Sequence, residues 1–173
     1  MALTKLNFGG SQTALVAGDL PTLAASNMPT GSVIQTVTTG SIALTQITTT
    51  GTWSNTNYTL SITPKFSNSK ILFQSANHFR LGGSTPIRGG VRVQRTVSST
   101  DTIAWNSSNN TEHFQVRNAD NEHDTIGTIS FLDSPATTSS VTYLIQIYLH
   151  TGTFMNIYES GHGGGIVLQE IAG

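Results

Sequence analysis

From Ser32 to the end of the chain, apolar and polar residues alternate with a period of two in short segments. In the segment YTLSIT, for example, single Thr or Ser residues separate Tyr58, Leu60 and Ile62. Successive side chains of a β-strand point to opposite faces of its sheet, so this pattern predicts strands with one buried face. Gly, Asn, Ser and Pro interrupt it often, and no intervening segment has the period of an amphipathic helix. The chain is therefore predicted to be all-β.

The alternation predicts a set of short strands. They are expected at residues 32–38, 42–48, 58–63, 70–76, 90–97, 102–105, 125–132, 141–150, 153–158 and 165–171. In the segment VTYLIQIYLH, the odd positions from Val141 to Leu149 form an apolar row, and the even positions from Thr142 to His150 form an uncharged, largely polar row. The second row suits a face that meets another subunit. Many short strands without helices predict an antiparallel β-sandwich of jelly-roll or Greek-key type.

The first 31 residues have a different pattern. Gly18, Pro21 and Pro29 break any helical period, and single apolar residues are spaced along the segment without regular alternation. We therefore predict an extended N-terminal arm, residues 1–31, that lies on another surface, followed by a β-domain, residues 32–173. The residues predicted to anchor the arm are Leu3, Leu6, Phe8, Leu15, Val16, Leu20 and Leu23.

Composition excludes several classes of partner and chemistry. The chain carries 8 basic and 9 acidic residues without charged blocks, which argues against binding to nucleic acid or to an anionic membrane. No apolar run is long enough to insert into a membrane. Cysteine is absent, so disulfides, thiol catalysis and thiolate metal ligands are excluded. Ser and Thr together number 46 of 173 residues, so the surface is solvated by uncharged polar groups.

Ionisable residues are concentrated in the segment TEHFQVRNADNEHD, residues 111–124. His113 and His123, together with nearby carboxylates, are residue types that bind zinc, but their spacing matches no known metal motif. A solvated loop tip is the simpler interpretation, and a loop that contacts a ligand is the third. No metal or other cofactor is predicted. The residues expected to contact a receptor are Trp105, His113, Arg117, Asp120 and His123.

No catalytic motif appears in the sequence. There is no G-x-S-x-G elbow, and the glycine-rich SGHGGG, residues 160–165, precedes a predicted strand where an anion-binding loop would precede a helix. No pair of carboxylates is marked as a glycosidase pair. Trp53 and Trp105 have the chemistry to stack on sugars, although core packing is the favoured interpretation of both. The chain is predicted not to be an enzyme.

Several motifs, taken in order along the chain, resemble one family. They are MALTKLNF at the start, GSVIQTV (residues 31–37), SITPKFSNSKILF (residues 61–73), FLDSPATTSSVTYLIQIY (residues 131–148) and the terminal VLQEIAG (residues 167–173). Together they resemble small fibre-like virion proteins of tailed bacteriophages, especially those of marine and cyanobacterial phages. The resemblance extends over nearly the whole chain, but it carries over no motif between residues 82 and 124.

The resemblance implies a structural protein of the virion, assembled in the host cytoplasm. It implies a homotrimer that is attached through its N-terminal arm to other proteins of the tail, baseplate or capsid. The β-domain would then point outward as a tail fibre-like attachment protein toward a glycan or protein of the host surface. Two alternatives remain open at this point: a head fibre or cement protein that decorates the capsid, and a polysaccharide-degrading enzyme. A soluble lectin is disfavoured, because the arm would then have no surface to lie on.

Overall fold

Every regular element of the described structure is a β-strand. The computed structural model describes residues 28–40, 42–83, 86–106, 114–116, 122–158 and 165–173. Within these ranges the strands are β1 (Val33–Thr38), β2 (Thr45–Ile47), β3 (Trp53–Ile62), β4 (Lys70–Gly82), β5 (Ile87–Val97), β6 (Thr100–Trp105), β7 (Phe114–Val116), β8 (Glu122–Asp133), β9 (Val141–Thr151), β10 (Phe154–Tyr158) and β11 (Gly165–Ile171). Named strands pair antiparallel throughout, which confirms the predicted all-β fold. No helix of membrane-spanning length and hydropathy occurs in the described ranges.

The first sheet is built around β4. Strand β8 pairs along one side of β4, from Ile71 to Gly82. On the other side β11 pairs with the first half of β4 and β10 with the second half, so β10 and β11 lie end to end. Beyond them, β1 pairs with β11 and β2 pairs with β10. The sheet is therefore four positions wide, in the order β8, β4, β10 and β11, then β1 and β2.

The second sheet is built around β9 and β5. Its order is β3, β9, β5 and then β6, with the short β7 pairing the opposite end of β5. Strand β6 pairs residues Val93–Val97 of β5, and β7 pairs residues Ile87–Gly89. This sheet is also four positions wide, because β6 and β7 share one edge of β5. The two sheets face one another across a single apolar core.

The core contains the apolar row predicted from the alternation of β9. Val141, Tyr143, Ile145, Ile147 and Leu149 are fully buried, whereas the residues between them are buried less completely. From β4 of the other sheet, the buried side chains include those of Ile71, Phe73, Phe79 and Leu81. In β3, Tyr58 and Ile62 are buried and Leu60 is partly buried, as the alternation predicts. Inward-facing rows of both sheets thus make the sandwich.

A polar contact joins the two sheets near the end of β8. Asp133, the last residue of that strand, accepts hydrogen bonds from Arg95 Nη1 of β5 at 2.7 and 2.8 Å. It also accepts a hydrogen bond from the Tyr143 hydroxyl of β9 at 2.7 Å. The Asp133 side chain is only 13% exposed. Burial, together with the hydrogen bond to Asp133, raises the pKa of Tyr143 above its usual value, so this hydroxyl stays protonated as a donor.

A second buried carboxylate holds the end of the chain in place. Glu170 of β11 is fully buried. Its carboxylate accepts hydrogen bonds from the backbone N–H groups of Lys65 and Phe66, at 2.7 and 3.2 Å, and from Gln35 Nε2 of β1 at 2.6 Å. Two other segments therefore converge on this side chain, and its carboxylate oxygens accept from three donors.

Two strands extend five or more residues beyond their predicted limits, and β5, β6, β8 and β9 extend by one to three residues. Strand β3 begins at Trp53 and not at Tyr58, because a β-bulge between Asn55 and Thr59 interrupts the alternation that sequence analysis relies on. Within the bulge the Thr56 hydroxyl donates to the Ile145 carbonyl at 2.6 Å. Strand β4 continues past the predicted residue 76 to Gly82.

Candidate interaction surfaces

The outward face of the first sheet is unusually poor in charge. Its outward side chains between Lys70 at one end of β4 and His78 toward the other are all uncharged. We call this area the neutral face. It consists of Thr36 and Thr38 of β1, Val167 and Gln169 of β11, Leu72, Gln74 and Ala76 of β4, and Ile126, Thr128, Ser130 and Leu132 of β8. Ile126 and Leu132 are 67% and 52% exposed, an unusual state for large apolar side chains within a strand.

A shallow depression lies within the neutral face. It has a volume of about 490 Å³. It forms where Ala76 of β4 and Gly165 of β11 lie opposite each other in the ladder, so that two small residues leave space between longer neighbours. Thr38, Gln74 and Thr128 line its sides. The neutral face thus offers both projecting apolar side chains and a recess.

Beyond the neutral face, the end of the same sheet near Gly82 carries a cluster of charged groups, whereas Lys70 lies at the opposite end. Arg80 of β4 forms an ion pair with Glu122 of β8, and its Nε lies 3.9 Å from Asp124. Asp124 also lies 3.3 Å from His78 Nε2 and accepts a hydrogen bond from the Tyr158 hydroxyl at 3.1 Å. The hydrogen bond and the charge of Glu122 raise the pKa of the Arg80 guanidinium. One cation is therefore paired with two carboxylates within this cluster.

The outward face of the second sheet carries a network of aromatic and planar polar groups. The Arg92 guanidinium lies over the Trp53 ring, 4.4 Å from its centroid. Arg92 Nε donates to Gln146 at 2.6 Å, and Gln146 Nε2 donates to Asn55 at 2.6 Å. The Trp53 and Tyr148 ring centroids are 5.2 Å apart. Partial burial lowers the pKa of Arg92. The favoured placement of Trp53 in the core was therefore wrong, because its ring packs on the outside of the sheet.

We expect this network to contribute measurably to stability. Replacing Trp53 by leucine or Arg92 by methionine should each lower the free energy of unfolding by about 1 kcal/mol, because either change removes the partly desolvated cation–π contact. The double variant should lose less than the sum, with a coupling energy of about 0.5–1 kcal/mol. Urea unfolding of the four proteins measures this coupling. Additive losses would mean that the stacking contributes nothing.

The two ends of the sandwich are formed by different parts of the chain. At one end, Gly31 N donates to Ala172 O and Ala172 N donates to Ser32 O, both at 2.8 Å, so the first described residues lie beside the C-terminal strand. At the other end, Glu122 pairs with Gly82. Strand β4 runs between these ends, and its 13 residues span about 40 Å.

The predicted receptor-contacting residues are only partly described. Trp105 is half-buried and packs against the core of the second sheet, whereas His123 is exposed and belongs to β8 of the first sheet, paired with Leu81. The structure does not bring these two residues into one described site. His113, Arg117 and Asp120 lie outside the described residues, as do all of the predicted anchoring residues: Leu3, Leu6, Phe8, Leu15, Val16, Leu20 and Leu23.

Six residues of the charged segment at residues 111–124 are described, and all six lie in strands. Phe114–Val116 forms β7 on the edge of β5, and Glu122, His123 and Asp124 are the first residues of β8. These parts of the segment therefore belong to ladders of both sheets. No group of three or more His, Asp or Glu side chains in the described part of the chain is arranged to hold a metal ion.

Sequence analysis identified the outward row of β9, from Thr142 to His150, but missed the rest of both outward surfaces. It also assigned that row to a subunit contact, whereas Arg92 and Trp53 cover part of it within the chain. The Trp53–Arg92 contact joins β3 to β5 across β9, and no local spacing indicates such a contact. The neutral face did leave a signal, because the uncharged stretch TIGTISFL, residues 125–132, follows directly after three ionisable residues.

Comparison with known proteins identifies no relative. No protein-family model matches the chain, and no curated protein matches its sequence.

Proposed function

We propose that this chain is a non-enzymatic structural protein of a bacteriophage virion, of tail fibre-like type. Its N-terminal segment would attach it to other virion proteins, and its β-domain would present the opposite end to a glycan or protein of the host surface. The observation that carries this proposal is the polarity of the domain. Residue 28 enters the sandwich at one end, and the segment predicted to contact a receptor joins it at the other, about 40 Å away.

We also infer that the sandwich is a jelly roll. Three positions in the sheets are each occupied by two strands that lie end to end: β1 with β2, β6 with β7, and β10 with β11. Counting each of these pairs as one position gives eight strand positions in the described structure. Numbered along the chain, they are ordered 1-8-3-6 in the first sheet and 2-7-4-5 in the second. This alternation between sheets supports a jelly roll, a fold used in capsid and lectin domains.

A homotrimeric assembly completes the proposal. Three copies on one particle would bind a surface at several points, so a weak single-site contact would suffice for attachment. The composition supports this role, since few charges would have to be desolvated between copies. A virion protein assembled in a bacterial cytoplasm would also require no disulfide.

A single deletion experiment tests both the anchoring role of the N-terminal arm and the presence of the chain in the phage particle. We expect a variant lacking residues 1–27 to remain folded, because the hydrogen bonds of Gly31 and Ser32 with Ala172 are retained. It should be absent from purified phage particles, whereas the full chain should be present. Immunoblotting of particles from the encoding phage, complemented with either form, measures this difference. Incorporation of the truncated protein would contradict the anchoring role.

Antibody labelling of intact particles separates the alternatives. Gold particles at the tail tip or baseplate would support the attachment role, and gold over the capsid lattice would favour a head fibre or cement protein. Shortened glycans after incubation of the purified chain with host capsule would overturn the non-enzymatic assignment.

A further inference from the structure

The neutral face has two features that an exposed sheet surface seldom combines. The first is its apolar content, since Ile126 and Leu132 of β8 are more than half exposed. The second is that β8, a strand of 12 residues, pairs on one side only among the described residues. A long edge strand with exposed apolar side chains promotes uncontrolled association unless another surface covers it.

The charges around the neutral face make it compatible with a second copy of itself. Among the described residues, no outward side chain between Lys70 and His78 is charged, so the neutral faces of neighbouring copies in a trimer meet without repulsion. Beyond it, Arg80 is already paired with Glu122 and Asp124. A partner bound by charge would need a charged surface, and the described part of the neutral face has none. Its complement is another uncharged, Thr- and Gln-bearing surface.

The area of the neutral face is also compatible with another copy of the chain as its binding partner. Four strand positions at about 4.8 Å, over the roughly 26 Å of β4 from Lys70 to His78, give a flat area on the order of 500 Å², to which the edge of β8 and the projecting side chains add. Each partner in a standard specific interface contributes about 800 Å². The outward face of the second sheet is less suitable, because Trp53 and Arg92 already cover part of it with their own contact.

We propose that the neutral face and the adjoining edge of β8 form the interface through which copies of this chain associate. The proposal deepens the proposed function and rests on its assumption that the protein is a homo-oligomer. In the assembly, Ile126 and Leu132 are removed from water, and the depression around Ala76 receives side chains of the neighbouring copy. The unpaired edge of β8 is protected in the same way.

Matched charge substitutions test this interface. Leu132 and Leu44 are equally exposed, at 52%, but Leu44 precedes β2 at the opposite edge of the sheet from β8. Leu132→Glu and Ile126→Glu should raise the dissociation constant of the assembly by about 100-fold or more, since each would bury an unpaired carboxylate. Leu44→Glu should leave it unchanged.

Light scattering across a dilution series of the full-length protein measures the mass against the chain mass of 18.4 kDa. Circular dichroism identifies any variant that has failed to fold, and the milder Leu132→Ser and Ile126→Ser then replace it. An unmodified protein that is monomeric at micromolar concentration overturns both the interface and the homo-oligomer. An oligomer that survives every substitution in β8 overturns the interface alone.

Cross-linking gives an independent readout, because the chain has no cysteine. A single Thr128→Cys change on the neutral face should yield covalent oligomers with a short bifunctional thiol reagent at high efficiency. Thr102→Cys, on an exposed position of β6 in the other sheet, should yield at least ten times fewer. Equal cross-linking at both positions would contradict the proposal. An oligomer joined through Thr128→Cys but absent from virions would refute the proposed function and leave the interface standing.

Discussion

Replacing Asp133 by alanine is expected to lower the free energy of unfolding by about 2–4 kcal/mol. The carboxylate accepts hydrogen bonds from both Arg95 and the Tyr143 hydroxyl, and it lies between the two sheets. Without it, a guanidinium that is only 21% exposed would lose the opposite charge beside it. A partly buried, unpaired cation costs more than the contact contributes, so the loss should exceed that of an ordinary surface ion pair.

Two comparison variants separate the charge effect from the loss of packing. Tyr143→Phe removes one hydrogen bond to Asp133 and keeps the ring in the core, so it should cost about 1 kcal/mol. The double variant Asp133→Ala with Arg95→Met should be more stable than Asp133→Ala alone, because the unpaired cation is gone. Urea unfolding at equal protein concentration measures all three. If Asp133→Ala is no worse than Tyr143→Phe, the two sheets are not held together by this carboxylate.

Replacing Glu170 by alanine should lower the free energy of unfolding by about 3–5 kcal/mol. The change would remove the acceptor for the Lys65 and Phe66 N–H groups and for the Gln35 amide. It would also leave a cavity at a fully buried position. The loop before β4 and the strand β1 should both loosen, since they meet at this side chain.

Conservative and neighbouring substitutions provide the controls for Glu170. Glu170→Gln keeps the shape and one carbonyl acceptor, so we expect a loss of only about 1–2 kcal/mol. Gln169→Ala changes the adjacent outward residue and should cost about 0.5 kcal/mol or less. Urea unfolding monitored by tryptophan fluorescence measures each. A loss for Glu170→Ala as small as that for Gln169→Ala would show that water replaces the carboxylate without cost.

Most of the strand pattern could be predicted from the sequence because it is local. The row from Val141 to Leu149 alternates without interruption, and every odd member of it is buried. The prediction of strand limits from this alternation failed where the apolar and polar residues no longer alternate regularly. The bulge after Asn55 hid the first half of β3, and the mixed sequence after residue 76 hid the second half of β4. Both errors come from relying on a period that a bulge or an inward polar residue, such as the buried Asn77, disturbs.

The buried carboxylates illustrate a different limit. Asp133 and Glu170 are ordinary acidic residues in the sequence, one at the end of a predicted strand and one inside another. Their partners are far away along the chain: Arg95 for Asp133, and Gln35 and Lys65 for Glu170. Only the pairing of strands brings these groups together, so no spacing rule identifies them.

The sequence by itself determined the class of fold, the two faces of each regular strand and the absence of thiol chemistry, because side-chain alternation and composition are properties of the local chain. Tertiary structure decided which outward rows lie side by side. Leu72 and Leu132 became neighbours on the neutral face, and Trp53 met Arg92 across β9, because strand order and register join residues that the chain keeps apart. Surfaces that meet other molecules are built from several strands at once, and for that reason they appear only when the sheets are assembled.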